Sequence, residues 1–190
     1  VGTANVVLDA EGAYGITNVV YGGGNNTATQ VTNKAYVKVL NGSYNSIVAG
    51  GYKIKTNSTQ VDVLGGSVNY IYMGGYTSTC VTGGQTVLNL SNCTVGNIYA
   101  GGYGDGSTTT GAAYINVNEN VNVTGSIYPK GVGKRPDGVN SGSVKTWAYV
   151  YLNDSANASA QFKKIKYTKA QAPYIYVNEV PLGEMPDTSL

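Results

Sequence analysis

The 190-residue chain contains no histidine, two cysteines, one phenylalanine and one tryptophan, and only 12% of its residues are charged. The lack of histidine excludes Ser–His and Cys–His nucleophiles, and with two cysteines a zinc site is not expected. Cys80 and Cys93 fit no metal or redox spacing, so the sequence is compatible with either a disulfide between them or two unpaired thiols. We expect no metal and no cofactor.

Sequence features of membrane and nucleic-acid binding are also missing. No segment approaches the ~20 consecutive apolar residues of a membrane helix. The net charge is only +2, and the basic clusters within residues 130–135 and 163–166 are typical of solvated loops or edges. We therefore expect no membrane span in this chain and no nucleic-acid partner.

A repeat rich in glycine and tyrosine dominates the sequence, which contains 27 glycines and 17 tyrosines. Its five copies are Asn18–Gly24, Ser46–Tyr52, Tyr70–Tyr76, Asn97–Tyr103 and Ser126–Val132. The aliphatic anchors of the copies, Val19, Ile47, Ile71, Ile98 and Ile127, follow one another at intervals of 28, 24, 27 and 29 residues. These intervals are shorter than the period of a propeller blade, which is about 40 residues.

The three central copies keep the same register upstream of their anchors. Valine or leucine stands ten and eight residues before Ile47, Ile71 and Ile98. Stacked coils bury apolar side chains that a single coil leaves exposed. The repeat predicts an all-β fold, a right-handed parallel β-helix (β-solenoid) of about five coils over residues 1–143. Residues 144–190 are predicted to form a C-terminal β-strand cap and an extended tail.

Period-two alternation assigns the side chains of each coil to two faces. The predicted inward columns are Val19, Ile47, Ile71, Ile98, Ile127 and, beside it, Tyr21, Ala49, Met73, Ala100, Pro129. The predicted outward column is Val20, Val48, Tyr72, Tyr99, Tyr128. The Gly-Gly pairs that follow are expected to form corners, because glycine readily adopts positive φ.

The last third of the chain departs from the repeat. The glycine-rich segment 130–144 predicts a loop. Strands are predicted over Thr146–Asn153, Gln161–Thr168 and Tyr174–Val180. In the first of these strands Trp147, Tyr149 and Tyr151 share one face. We interpret the region as a cap on the solenoid end, and a small separate β-module is the alternative.

The chain ends in Val180-Pro-Leu-Gly-Glu-Met-Pro-Asp-Thr-Ser-Leu190. Here Met185, Pro186, Asp187, Thr188 and Ser189 resemble the Leu-Pro-x-Thr-Gly sorting signal of sortase-anchored cell-wall proteins, with Met and Ser where Leu and Gly are usual. The Gly-Gly-Tyr coils are similar in architecture to those of large bacterial surface adhesins. These resemblances imply an extracellular protein attached to the cell wall of a Gram-positive bacterium.

Parallel β-helices also include pectin-lyase-like enzymes that degrade polysaccharides, and their chemistry needs converging acids or a base beside a metal-bound sugar. The chain has ten acids. In the matched strands only Asp62 falls at an outward position, where the adjacent coils carry Lys38 and Asn89. Asp105 stands in a glycine-rich segment that approximates a calcium-binding repeat but has no second copy, so a turn is expected there. These observations predict a non-catalytic protein.

Two tyrosine columns are the predicted binding surface. Tyr72, Tyr99 and Tyr128 fall in the outward column, and Tyr52, Tyr76 and Tyr103 follow the glycines. Such rings, about 4.8 Å apart, are suited either to stack on sugars or to stabilise the solenoid by packing on each other.

The sequence therefore predicts an adhesin- or stalk-type solenoid that presents a binding surface to host or bacterial surface glycans or proteins. A carbohydrate-binding module that uses the tyrosine columns is the second hypothesis. A polysaccharide-degrading enzyme is the third.

Overall fold

Short β-strands form nearly all of the regular structure. The structure, a computed structural model, describes residues 2–10, 15–24 and 30–182, with the backbone alone for residues 15–18. Strands β1 to β9 are Thr3–Asp9, Gly15–Tyr21, Val31–Asn41, Ser43–Val48, Thr56–Val63, Ser67–Tyr72, Val81–Thr82, Thr86–Leu90 and Thr94–Tyr99. Strands β10 to β17 are Thr108–Thr109, Ala113–Val117, Asn122–Val123, Ile127–Tyr128, Ser143–Val144, Ala148–Leu152, Tyr174–Val177 and Val180–Pro181. A short helix, α1 (Ala158–Phe162), and a 3-10 turn (Lys169–Gln171) complete the described elements.

The strands stack as parallel coils. One ladder runs in the order β1, β3, β5, β8, β11, β15, β16, and all of its neighbours are parallel. A second runs β2, β4, β6, β9 and continues on β12 and β13. A short third ladder joins the start of β5 to β7, β10 and β14. The result is a three-sided parallel β-solenoid of about six turns, which confirms the predicted fold class.

The interior of the solenoid follows the predicted columns in the central coils. Ile47, Ile71, Ile98 and Ile127 are in register and fully buried. The column Ala49, Met73, Ala100 is buried beside them. Burying each such Ile contributes about 1.5–3 kcal/mol relative to an exposed position. Because each side chain packs on its counterparts in the coils above and below, the columns hold the stack together.

The first coil is displaced by one residue from the prediction. Val19 is aligned with Ser46, and it is Val20 that pairs with Ile47. The β2–β4 pairing is irregular between Ile16 and Val19, and one extra residue in a strand moves every following side chain to the other face. Val20, predicted outward, therefore packs against the core, whereas Val19 packs on the outer side.

The Gly-Gly corners form for a different reason than the one predicted. None of the glycines at positions 50, 51, 74 and 75 has positive φ in the structure. They are required because the chain packs too closely for a Cβ atom. A Cβ on Gly75 would lie 2.3 Å from the Cβ of Cys80, and one on Gly51 would lie 2.1 Å from Cγ1 of Ile54. The corner glycines thus make room for the side chain that follows in the same coil.

The C-terminal region continues the stack. β15 pairs with β11 in unbroken register, and Ala148, Val150 and Leu152 point into the core as predicted. The strand predicted over Gln161–Thr168 is wrong. This segment begins in α1 and then makes a single bridge from Ile165 to Ile127. α1 buries Ala158 and Gln161, and a one-turn helix suits that (i, i+3) spacing better than a strand.

Two further C-terminal predictions have mixed outcomes. The strand predicted over Tyr174–Val180 ends early, at Val177, and β17 then turns back antiparallel to β16. The predicted loop 130–144 is irregular except for a bridge between Lys134 and Asn140 and the two residues of β14.

No helix among the described residues has the length and apolar content to cross a membrane.

Candidate binding surface

The first predicted tyrosine column is a continuous ring stack. The rings of Tyr72 and Tyr99 lie 4.8 Å apart and 7° from parallel, and those of Tyr99 and Tyr128 lie 4.9 Å apart at 6°. Strand pairing aligns these tyrosines with Val48 and, in the first coil, with Tyr21 rather than the predicted Val20. The stack follows directly from the parallel register, which places identical residues one strand spacing apart.

The second column packs against the first. The rings of Tyr76 and Tyr103 are 4.3 Å apart at 5°, and Tyr52 stacks on Tyr76 at 4.9 Å. Tyr103 also meets the ring of Tyr72 edge-on at 5.0 Å. The two columns therefore form one interlocked cluster on the outside of the second ladder, here called the tyrosine cluster. It consists of Tyr21, Tyr52, Tyr72, Tyr76, Tyr99, Tyr103 and Tyr128.

The loop 130–142 covers much of the tyrosine cluster. The Tyr99 hydroxyl donates a hydrogen bond to the carbonyl of Lys134 at 2.9 Å. The Arg135 guanidinium lies 3.9 Å from the centre of the Tyr103 ring, and Gly133 lies so close to Tyr128 that a Cβ there would be 2.4 Å from the ring. As a result Tyr72 and Tyr99 are each only 1% exposed.

Of the two roles left open for the columns, the structure shows stacking of the rings on each other at Tyr72 and Tyr99, which are buried. Their side chains do point away from the core, as alternation requires, but an outward position is not a surface position when a long loop folds over it. Tyr52, Tyr76, Tyr103 and Tyr128 remain partly exposed. Their ring faces lie mainly against each other, so the cluster stabilises the coils by stacking.

Burial changes the ionisation of the cluster. It raises the pKa of Tyr72 and of Tyr99 far above the ordinary value, with smaller contributions from neighbouring tyrosines. Burial and adjacent tyrosines raise the pKa of Tyr21 to about 12. In the covering loop, desolvation opposes the charge of Asp137, but the Val139 N–H and the Arg135 guanidinium hold its pKa below the ordinary value. In the loop, Arg135 and Asp137 form an ion pair at 2.7 Å.

A different aromatic surface is exposed, on the outside of the first ladder at its C-terminal end. β11, β15 and β16 there present a grid of outward positions. Each strand contributes two outward residues, which are aligned with those of the next strand: Tyr114 and Asn116 from β11, Tyr149 and Tyr151 from β15, and Tyr174 and Tyr176 from β16. Trp147 lies two residues before Tyr149 on the same face. We call Tyr114, Trp147, Tyr149, Tyr151, Tyr174 and Tyr176 the aromatic face.

The aromatic face combines stacked tyrosines with one ring outside the stack. Tyr149 stacks on Tyr114 at 5.1 Å and on Tyr174 at 5.3 Å, and Tyr151 stacks on Tyr176 at 4.9 Å. Trp147 is 60% exposed, and its ring is tilted by 54° to that of Tyr174, which is 47% exposed. Large aromatic side chains exposed together are unusual on a monomer surface and mark interaction sites.

A polar ladder adjoins the aromatic face on the same side. Asn116 donates a hydrogen bond to Asn89 at 2.7 Å, and Asn89 donates one to Asp62, also at 2.7 Å. Asp62 further accepts from the Tyr36 hydroxyl at 2.5 Å and from the Gln60 amide. Burial together with this bond to Asp62 raises the pKa of Tyr36 to about 12. The carboxylate of Asp62 is thus engaged by three donors from neighbouring positions.

Sequence reasoning placed Trp147, Tyr149 and Tyr151 on one face but assigned them to a cap. The missed signal is the match between Ala113-Tyr-Ile-Asn-Val117 and Ala148-Tyr-Val-Tyr-Leu152, which share alternation and an initial alanine. Aligning these segments would have extended the repeat by one coil. It would also have placed Tyr114 beside Tyr149, as the structure does.

The two cysteines do not form a disulfide. Cys80 and Cys93 are both free and buried, so unpaired thiols and not a disulfide are present. Cys80 packs at the corner glycine Gly75, and burial raises the pKa of Cys93 to about 11.

The sorting-signal-like residues Met185–Ser189 lie outside the described residues. Within the described ranges no three His, Cys, Asp or Glu side chains come together as a metal site.

No protein-family description, curated protein or solved structure matches this chain significantly.

Proposed function

We propose that the chain is a non-catalytic, extracellular surface protein, an adhesin- or stalk-type β-solenoid that presents a binding surface. One observation carries the proposal: the aromatic face exposes Trp147, directly before β15, and Tyr174, at the start of β16. A binding surface built on strands keeps its geometry, because the strands below it are fixed by packing.

The tyrosine cluster supports the stalk part of this proposal. Its rings tie successive coils together outside the core, in addition to the buried interior columns. In a solenoid each coil contacts only its neighbours, so stability depends on every coil-to-coil interface. A second set of stacking contacts on the outside strengthens the interfaces between the first five coils, as suits a protein that holds a surface away from its anchor.

Attachment to a Gram-positive cell wall is part of the same proposal. Its support is the resemblance of Met185–Ser189 to a sorting signal and the low charge of the chain. Surface glycans or proteins of a host or of bacteria are the proposed partners. The first alternative, a carbohydrate-binding module, is favoured by the aromatic face rather than by Tyr72 and Tyr99, which are buried.

Two measurements test the proposal. Antibodies against the purified chain should label intact cells of the organism that produces it, and labelling should be lost when Met185–Ser189 is deleted from the full-length protein. Labelling only after permeabilisation would contradict the surface location. Incubation with neutral and acidic polysaccharides should release no reducing ends, and a catalytic release would contradict the non-catalytic part.

A further inference from the structure

The geometry points to the aromatic face as a carbohydrate site, with Trp147 as the stacking platform and neutral saccharides as the ligand class. This inference rests on the proposed function, since it names the partner of the presented surface. The described outer surfaces offer other candidates, among them a polar cleft beside α1 and the free edge of β1. Four independent features of the aromatic face support this inference.

The first feature is the exposed, unstacked ring of Trp147. Stacked tyrosines such as Tyr114 and Tyr149 cover each other's faces and leave mainly their edges to solvent. Trp147 is different because its neighbour in the adjacent coil is a small residue and not a second ring. The Ala113 N–H bonds to the Trp147 carbonyl, which sets Trp147 beside Ala112. On its other side β16 begins only at Tyr174, whose ring lies 5.8 Å from that of Trp147 and is tilted by 54° to it.

The second feature is the polarity around that ring. Tyr149, Tyr151 and Tyr174 supply phenolic hydroxyls, each able to donate and accept a hydrogen bond. Asn116 supplies an amide at the border of the grid. A pyranose ring has an apolar C–H face and a rim of hydroxyls. It can therefore bury its face on the indole and bond its rim to these groups.

The third feature is charge. Ala112, Tyr114, Asn116, Trp147, Tyr149, Tyr151, Tyr174 and Tyr176 line this surface, and none of them is an Asp, Glu, Lys or Arg. The nearest acid along the polar ladder is Asp62, two coils from Asn116, and its oxygens are occupied by Tyr36, Gln60 and Asn89. The Lys130 ammonium nearby donates a hydrogen bond to the carbonyl of Thr146, the residue before Trp147. The side chains of the face itself are uncharged in type and therefore complement an uncharged ligand.

The fourth feature is size. Three coils about 4.8 Å apart and three outward positions about 6.7 Å apart span roughly 10 Å by 13 Å. A stable protein interface needs about 800 Å² on each partner, several times this area. The aromatic face is thus too small for a second copy of the chain and fits one to a few sugar rings.

The test uses the fact that Trp147 is the chain's one tryptophan. Its fluorescence reports on the aromatic face without any label. The intact chain is titrated with neutral hexasaccharides of glucose, mannose and N-acetylglucosamine, and with oligogalacturonate as the acidic comparator. We expect at least one neutral hexasaccharide to shift the emission to the blue, saturably, and to protect Trp147 from acrylamide quenching. Oligogalacturonate should do neither.

Variants then locate the effect, with binding followed by calorimetry. Trp147→Ala should weaken binding at least about tenfold, as loss of a central aromatic contact does. Tyr174→Ala should weaken it less, and Trp147→Phe should retain part of it. Val7→Ala is the matched control, because Val7 is also 60% exposed and lies on the same ladder at the opposite end.

Two outcomes would overturn the inference. One is the absence of a saturable response to every neutral hexasaccharide. The other is binding that Trp147→Ala leaves unchanged while the variant stays folded. Failure of the inference differs from failure of the proposed function. The chain could bind intact cells, lose that binding in Trp147→Ala, and yet show no competition by any glycan. That result would support the proposed binding surface and show that its partner is not a saccharide.

Discussion

The guanidinium of Arg135 lies 3.9 Å from the centre of the Tyr103 ring and donates a hydrogen bond to the Tyr103 carbonyl. Its other nitrogens bond to the carboxylate of Asp137, 2.7 Å away at the closest approach. One side chain thus ties the loop 130–142 to the tyrosine cluster. Because this loop covers Tyr72 and Tyr99, the contact is one of those that keep an outward column buried, together with the bond from Tyr99 to the Lys134 carbonyl.

Replacing Arg135 should loosen the loop. We expect Arg135→Ala to lower the free energy of unfolding by about 1–3 kcal/mol, since it removes a cation–π contact and bonds to a charged group. Denaturant unfolding measures the loss, and a broad-specificity protease should cut the loop 130–142 faster. Lys134→Ala is the control, because Lys134 contributes its backbone carbonyl to the cluster. Equal stability of the two variants would contradict the role of Arg135.

Alkaline pH should unfold the protein through the buried tyrosines. Burial raises the folded-state pKa of Tyr72 and Tyr99, so above pH 10 the unfolded state loses protons that the folded state keeps. The free energy of unfolding is therefore at its full value below about pH 10. Above pH 10 each of these two tyrosines lowers it by about 1.4 kcal/mol per pH unit. Urea unfolding between pH 8 and 12 measures this slope. Tyr72→Phe should make it shallower, and an unchanged slope would argue against burial of that hydroxyl.

The central coils were predictable because two kinds of regularity coincide in them. Alternation fixes which side chains face inward, and near-identical residues at equal offsets fix how coils align. Ile47, Ile71 and Ile98 satisfy both conditions, and the structure stacks them as predicted. The first coil fails because an irregularity between Ile16 and Val19 has no signature in the alternation itself.

The site was less predictable, for reasons that lie in long-range packing. Alternation places Tyr72 outward, but the packing of the loop 130–142 on the tyrosine cluster, through Lys134 and Arg135, decides that it is covered. In contrast, Trp147 was assigned to a cap because its coil lacks the Gly-Gly-Tyr sequence. Exposure depends on loops from other parts of the chain, which local patterns do not encode.

The corner glycine Gly75 should not tolerate a side chain. A Cβ there would lie 2.3 Å from the Cβ of Cys80, and Cys80 is itself buried. We expect Gly75→Ala to destabilise the chain by about 1–3 kcal/mol or more, as overpacking does. Gly83→Ala is the matched control, since its nearest contact would be 3.7 Å away. Thermal unfolding of both variants compares them, and a tolerated Gly75→Ala would show that the corner can open.

Backbone protection should rise from the first coil toward the middle of the solenoid. In the described part of the chain β1 pairs with β3 alone, whereas β8 pairs with β5 on one side and β11 on the other. The inward residues Val6 and Leu8 are also only partly buried, while their partners Val37 and Val39 are fully buried. An edge strand with an open side is the segment that separates with the smallest loss of contacts.

Hydrogen exchange measured by mass spectrometry checks this gradient. Amides of β1 should exchange first among the strands of the first ladder, and those of β5, β8 and β11 last. Because both sets lie in the same ladder, differences in pH or temperature cannot produce the order. If β1 is protected as well as β8 at a concentration where the chain is monomeric, another part of the chain covers its edge. If protection of β1 instead rises with protein concentration, a second copy pairs with it.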